Sequence, residues 1–169
     1  MAIAQSLIPE FTHEMSVLRR VVERVPADRL DFRPHPKSFD LHALVNHLVT
    51  IPGWTVTTLK ETELDFGLPE TQAKQPKPSS TTEGLLSTLD ACVEGALEAL
   101  NQASDEDFRV IWTLKNKGEA VLSMPRIAVF RGFVMNHLIH HRAQVALYLR
   151  MLDVPVPSIY GPSADEPTF

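Results

Sequence analysis

A chain of 169 residues with 44% hydrophobic and 22% charged side chains can build one real core and is too apolar for a disordered tail. Sixteen Lys and Arg against twenty-one Asp and Glu leave a net charge of −5, which argues against nucleic acid as a partner. One cysteine excludes an internal disulfide. The start MAIAQSLIPEF lacks a basic n-region and no apolar run reaches spanning length, so the expectation is a cytoplasmic protein off the membrane.

Helical periods dominate the chain, and the prolines fall between them. Leu7, Phe11, Met15, Leu18, Val21, Val22 and Val25 recur at steps of three and four and predict a first helix over residues 3–25. Three prolines within residues 26–40 predict an irregular connection. Asp40 can cap a second helix through Leu44, His47, Leu48 and Ile51 to Leu59, with a kink where Pro52 and Gly53 interrupt it. Residues 66–80 read as a polar linker. The capping-box spacing Ser80-Thr81-Thr82-Glu83 opens a third helix that keeps its period to Asn101. Two short apolar runs around Lys-Asn-Lys-Gly within residues 108–123 suggest a small β-hairpin. A last helix starts near Pro125 and ends near Leu152, followed by an irregular tail from about residue 153. The fold class is therefore all-α, a four-helix bundle with a possible hairpin between helices 3 and 4.

Bundles build sites from side chains that face inward, so the placement of seven histidines matters. With His137 at zero on the last helix, His141 lies about 40° away, and Gln144, Tyr148 and Phe133 lie within about 40°. Leu138 and Val134 share that side, with His140 on its edge; Arg142 points about 140° away. On the second helix His47 aligns with Leu44, Ile51 and Trp54, whereas His42 falls on the opposite side. Buried imidazoles without partners are costly. A pair at i, i+4 with a third imidazole from a facing helix makes a three-nitrogen set that leaves a coordination position open, as catalytic metal sites do. Such ligands suit zinc, nickel, copper or iron. A hydrogen-bonded core pair is the plain alternative.

The segments LVNHLVTIPGW and NHLIHHRAQVALYLR, with LDFRPHPKSFDL and VPVPSIYGPSADE, resemble the DinB-like (DinB/YfiT-like) superfamily of metal-binding four-helix bundles. The likeness covers nearly the whole chain as one domain, residues 1–169; the 66–80 linker and the hairpin region are its least distinctive parts. It implies a divalent metal (zinc, nickel or iron) on His47, His137 and His141, a down-down-up-up helix order and a homodimer. It also implies a metal-dependent small-molecule enzyme of thiol S-transferase or hydrolase type, with a low-molecular-weight thiol as a possible partner. The alternatives are a non-catalytic metal-binding or stress-associated bundle, and a helical interaction module without metal.

Further candidates are Trp54, Phe133, Gln144, Tyr148 and Tyr160 as pocket lining. Arg142 is expected on the helix surface or at an interface. His13 is expected in solvent, and Cys92 as a small apolar residue of the third helix. Asp165 and Glu166 could brace a tail folded over an open bundle end, or lie solvated. No inward carboxylate stands out on the two ligand helices, so no catalytic acid or base is assigned.

Overall fold

The computed structural model describes residues 2–167. Helix α1 (Ile3–Val22) buries Leu7, Phe11, Met15, Leu18, Val21 and Val22 on one stripe, as the periodicity requires. It ends three residues before the expected boundary, and Val25 stays buried in the following turn. Helix α2 (Leu41–Thr50) opens at Asp40, whose carboxylate accepts the Ala43 N–H at 2.8 Å and pairs with Arg33 at 2.7 Å. Both contacts hold its pKa below the ordinary 3.8. Replacing Asp40 with alanine is expected to cost about 1 kcal/mol, read as a lower urea midpoint at unchanged slope; an unmoved midpoint would show that the cap is idle.

At the expected kink, Ile51–Gly53 form one 3-10 turn before α3 (Trp54–Lys60). Gly53 fits a close approach there: a Cβ would sit 3.1 Å from the Cys92 sulfur, which would have to give by a few tenths of an ångström. The polar stretch after residue 66 contains a short helix, α4 (Pro69–Ala73). Helix α5 (Thr82–Gln102) is capped by Thr81, which accepts the Gly84 N–H at 3.1 Å. The cap thus lies one residue beyond the expected box, and Gly84 rather than Glu83 stands three residues after it.

Three strands form one sheet in the order β1-β2-β3. Strands β2 (Ile111–Asn116) and β3 (Glu119–Pro125) are the expected antiparallel hairpin, and β1 (Glu63–Asp65) joins β2 in parallel. The all-α expectation is corrected to a mostly helical chain carrying this sheet. Lys117 and Gly118 both have positive φ, 51° and 87°, the pair of left-handed residues a two-residue hairpin turn demands. Asp65 pins that turn to β1, accepting the N–H groups of Lys117 at 2.8 Å and Gly118 at 2.6 Å.

Pro125 closes β3 and is also the N-cap of the helical stretch that follows, so the last helix begins where expected, at Arg126. Helix α6 (Arg126–Val129) leads into a seven-residue π-helical segment, Phe130–Asn136, and then α7 (His137–Met151). Helices α1 and α2 each pack against both α5 and α7. Phe11, Leu18, Leu44, Leu48, Leu89, Leu100, Phe130 and Leu138 fill the space between them and are essentially inaccessible. No helix among the described residues is long and apolar enough to cross a membrane.

Candidate metal centre

Helices α2 and α7 meet side by side, and this contact brings the three inward histidines together. The Nε2 atom of His137 lies 3.3 Å from that of His47 and 2.7 Å from that of His141. All three ligand atoms fall within 4.8 Å of one another. Nitrogens about 2.0–2.1 Å from a tetrahedral zinc stand about 3.3 Å apart, so the His47–His137 pair has the spacing of a ligand set, with His141 closer to His137. Its chemistry fits as well: neutral imidazoles crowded around one point have no donor to share among three acceptors once each Nδ1 carries the proton. Oriented in this way, the three could hold a divalent metal and leave a position open.

The surroundings keep the imidazoles neutral. Burial, and then the neighbouring His141 and His137, lower the pKa of His47 from the ordinary 6.5 to about 4. Burial also lowers His137, with His141 and His140 adding to it and the Phe133 backbone opposing. That Phe133 approach falls short of hydrogen-bond geometry, and His137 Nδ1 is buried without a partner among the described residues. His141 is lowered by burial and by His140, against an opposing hydrogen bond from Gln144.

These shifts fix the sign of a pH dependence. Each histidine has a folded pKa below its unfolded one, so below about 6.5 the unfolded chain binds more protons and is favoured. The melting temperature of metal-free protein is therefore expected to fall steadily from pH 6.5 to 4 in a calorimetric series, and His47→Gln should flatten that slope. The carboxylates of Asp40, Asp65 and Asp107, lowered below 3.8, act only in more acidic solution. A level profile across the histidine window would contradict neutral, buried imidazoles.

Two of the proposed lining residues, Gln144 and Trp54, lie directly against the cluster, and Tyr148 shares a recess with His141. Gln144, one turn beyond His141, places Oε1 2.7 Å from His141 Nδ1, which orients the ring with Nε2 toward its partners. Trp54 stacks obliquely on both His47 and His137, with ring centroids 5.6 and 5.4 Å away. The 3-10 turn therefore delivers the tryptophan that a simple kink would have left in doubt. Tyr148 is buried and donates its hydroxyl to the Phe39 carbonyl at 3.1 Å. Phe39 in turn lies 6.3 Å from the His47 ring, so the proline-rich connection, not the tail, overhangs the centre. A recess of about 270 Å³ opens beside His141 between Lys37, Ser38, Gln144 and Tyr148.

Phe133 is a third of the way exposed and lines a different space, an apolar cavity of about 350 Å³ between the sheet and α3. Trp54 forms a wall of that cavity too. His13, His35 and His140 are exposed, and His42 meets Ser80 away from the cluster.

Tyr160 and Arg142 depart from expectation together. Arg142 is only 1% exposed, not a surface residue, and its Nη1 donates to Glu14 at 2.6 Å. Its other nitrogen donates to the Tyr160 hydroxyl at 2.5 Å, and that hydroxyl also meets the Glu14 carboxylate at 2.9 Å. The wheel direction holds, since Arg142 points away from the histidines, but α1 closes that side as well. Helix α7 buries Leu138, His141, Arg142, Val145 and Leu149 around much of its circumference. Glu14 was the overlooked partner, and its signal was present: it follows Phe11 by three and precedes Leu18 by four, on the apolar stripe of α1.

The tail is held down rather than solvated. Asp165 pairs with Arg150 and accepts the Val156 N–H, and Glu166 pairs with Arg24 at 2.8 Å. Cys92 is half-buried, and burial raises its thiol pKa against the Gly53 N–H, which keeps it a poor nucleophile.

Comparison with known proteins bears on the fold and the family. The chain is similar in structure to a DinB-like protein from Bacillus cereus ATCC 10987, with a TM-score of 0.69 at 20% identity, covering 94% of this chain and 98% of that one. A DinB-like protein from Bacillus subtilis aligns with a TM-score of 0.69 at 18% identity, covering 90% and 96%. No curated protein matches the sequence. The model of the DinB family matches residues 3–168, and the chain belongs to that family.

Proposed function

We propose that the chain is one DinB-like domain over residues 1–169, a four-helix bundle of α1, α2, α5 and α7. Its function is to bind a divalent metal on His47, His137 and His141 for small-molecule chemistry. The observation that carries this reading is the convergence of three Nε2 atoms from two helices, within 4.8 Å, with Gln144 behind one of them. A bound divalent metal supplies one thing here, a water or thiol made nucleophilic near neutral pH. The chain's own residues do the rest. Burial keeps the imidazoles deprotonated, Gln144 sets the His141 ring, Trp54 excludes water from one side, and the recess by Lys37 and Ser38 admits solutes from the other.

Thiol S-transfer and hydrolysis both fit such a centre in a homodimeric cytoplasmic enzyme; zinc, nickel and iron all suit its ligands. Cobalt substitution separates these chemistries from a merely bracing metal. Tag-free protein loaded with Co²⁺ is expected to hold about one equivalent, and 2-mercaptoethanol should perturb its visible spectrum. A loaded protein whose spectrum ignores the thiol and shifts with azide favours hydrolysis. One indifferent to both is a closed, non-catalytic site, and uptake below about a tenth of an equivalent removes the metal altogether.

A further inference from the structure

The cavity beneath the sheet has no role in holding the histidines, yet it shares a wall with them. Leu64, Leu114 and Leu122 pair across β1, β2 and β3, so three leucines stand abreast and line it. Trp54, Trp112, Phe66 and Phe133 supply its aromatic surface. Among the described residues its polar lining is limited to threonine and glutamine, with no Asp, Glu, Lys, Arg or His. Interiors pack densely and keep few voids larger than a water, so a leucine row left facing about 350 Å³ of space forfeits contacts a covering sheet would otherwise make. That volume is more than twice the ~150 Å³ apolar cavity that accepts benzene.

We propose that this chamber receives the uncharged aromatic part of a small-molecule ligand, about the size of a fused two-ring system, beside the three-histidine centre. The inference rests on reading that centre as a metal-dependent small-molecule site. Charge is excluded because a buried ion would find no countercharge in the lining. Aromatic character follows from four aromatic side chains, which favour edge and offset contacts with a ring beyond simple area. Trp54, in contact with His47 and His137, is the wall the chamber shares with the histidines, so the inner end of such a ligand lies one indole ring away from them.

The chain's two tryptophans, Trp54 and Trp112, both line the chamber, so their indole N–H signals report on it directly. Zinc-loaded, ¹⁵N-labelled full-length protein is titrated with 1-naphthol, and with 1-naphthoate as the charged comparison. Both indole signals are expected to move saturably with naphthol at a Kd below about 1 mM, and at least tenfold more weakly with naphthoate. Leu122→Phe, or Leu64→Phe from the other edge of the sheet, should fill the space and weaken naphthol at least tenfold while the bound metal stays at one equivalent. Metal-loaded protein whose indole signals stay still, or that binds naphthol unchanged in both filled variants, overturns the chamber alone. Naphthol binding to protein that takes up no metal overturns the metal reading and, with it, the placement beside a metal.

Discussion

His137→Ala is expected to reduce bound divalent metal from about one equivalent to below a tenth, measured by elemental analysis of tag-free protein. His137 is the shared member of the cluster, with its Nε2 near both other histidines at 3.3 and 2.7 Å. Its removal leaves two imidazoles on different helices, too few to outbid solvent or buffer. The loss should exceed the 10–100-fold that follows when only a ligand's supporting hydrogen bond is removed. Stabilisation by metal goes with it: at a hundredfold excess over Kd a ligand adds about 2.7 kcal/mol to the folded state, and the variant should show none. The metal-free variant should melt no lower than metal-free parent, apart from a small cavity cost, because His137 Nδ1 is itself buried without a partner. A variant that keeps a full equivalent would place the metal elsewhere.

Glu14→Ala carries the largest expected effect on stability, a loss of about 3–5 kcal/mol. The guanidinium of Arg142 is 1% exposed and its carboxylate partner 8%, so truncation strands a cation where water cannot reach it. Tyr160 cannot compensate, since a hydroxyl shared with Arg142 offers a dipole and no countercharge. For a chain of this length each kcal/mol moves the melting temperature by about 2–4 °C, so a fall on the order of 10 °C is expected by calorimetry. Glu14→Met with Arg142→Met should recover most of the loss, because two apolar side chains of similar volume leave no buried charge, and the hydroxyl of the exposed Tyr160 can turn to water. If the double variant is as unstable as Glu14→Ala, packing rather than charge sets the cost.

The contrast between these two sites explains what could be read from residue order. His47, His137 and His141 were legible because their spacing fixes them on apolar stripes, and helix α2 against helix α7 is enough to join them. Trp54 was less so, since its direction depends on the 3-10 turn at Pro52. Arg142 was misjudged and Glu14 overlooked because a charged residue on a helix is ordinarily a solvent residue, and only the docking of α1 against α7 makes these two an exception. Tyr160 was expected to line the pocket from a tail folded over the bundle end, whereas its hydroxyl answers to Arg142. Strand β1 escaped notice for a different reason: three residues carry no readable alternation, and their pairing with β2 depends on partners fifty residues away. The chamber followed from the same strand, so it was invisible too.

The Glu14–Arg142–Tyr160 contact has a consequence for how the protein comes apart and together. Its members are separated by 128 and 18 residues along the chain, and Glu14 from Tyr160 by 146. No fragment lacking residue 14 or residue 160 can bury Arg142 with its full set of partners. The helix that carries His137 and His141 therefore gains its last fixed neighbour only when both distant segments have arrived, and loses it when either leaves. Unfolding of α1, release of the tail and loosening of the histidine pair become one cooperative event, so the centre shares the stability of the whole chain rather than of its own helix.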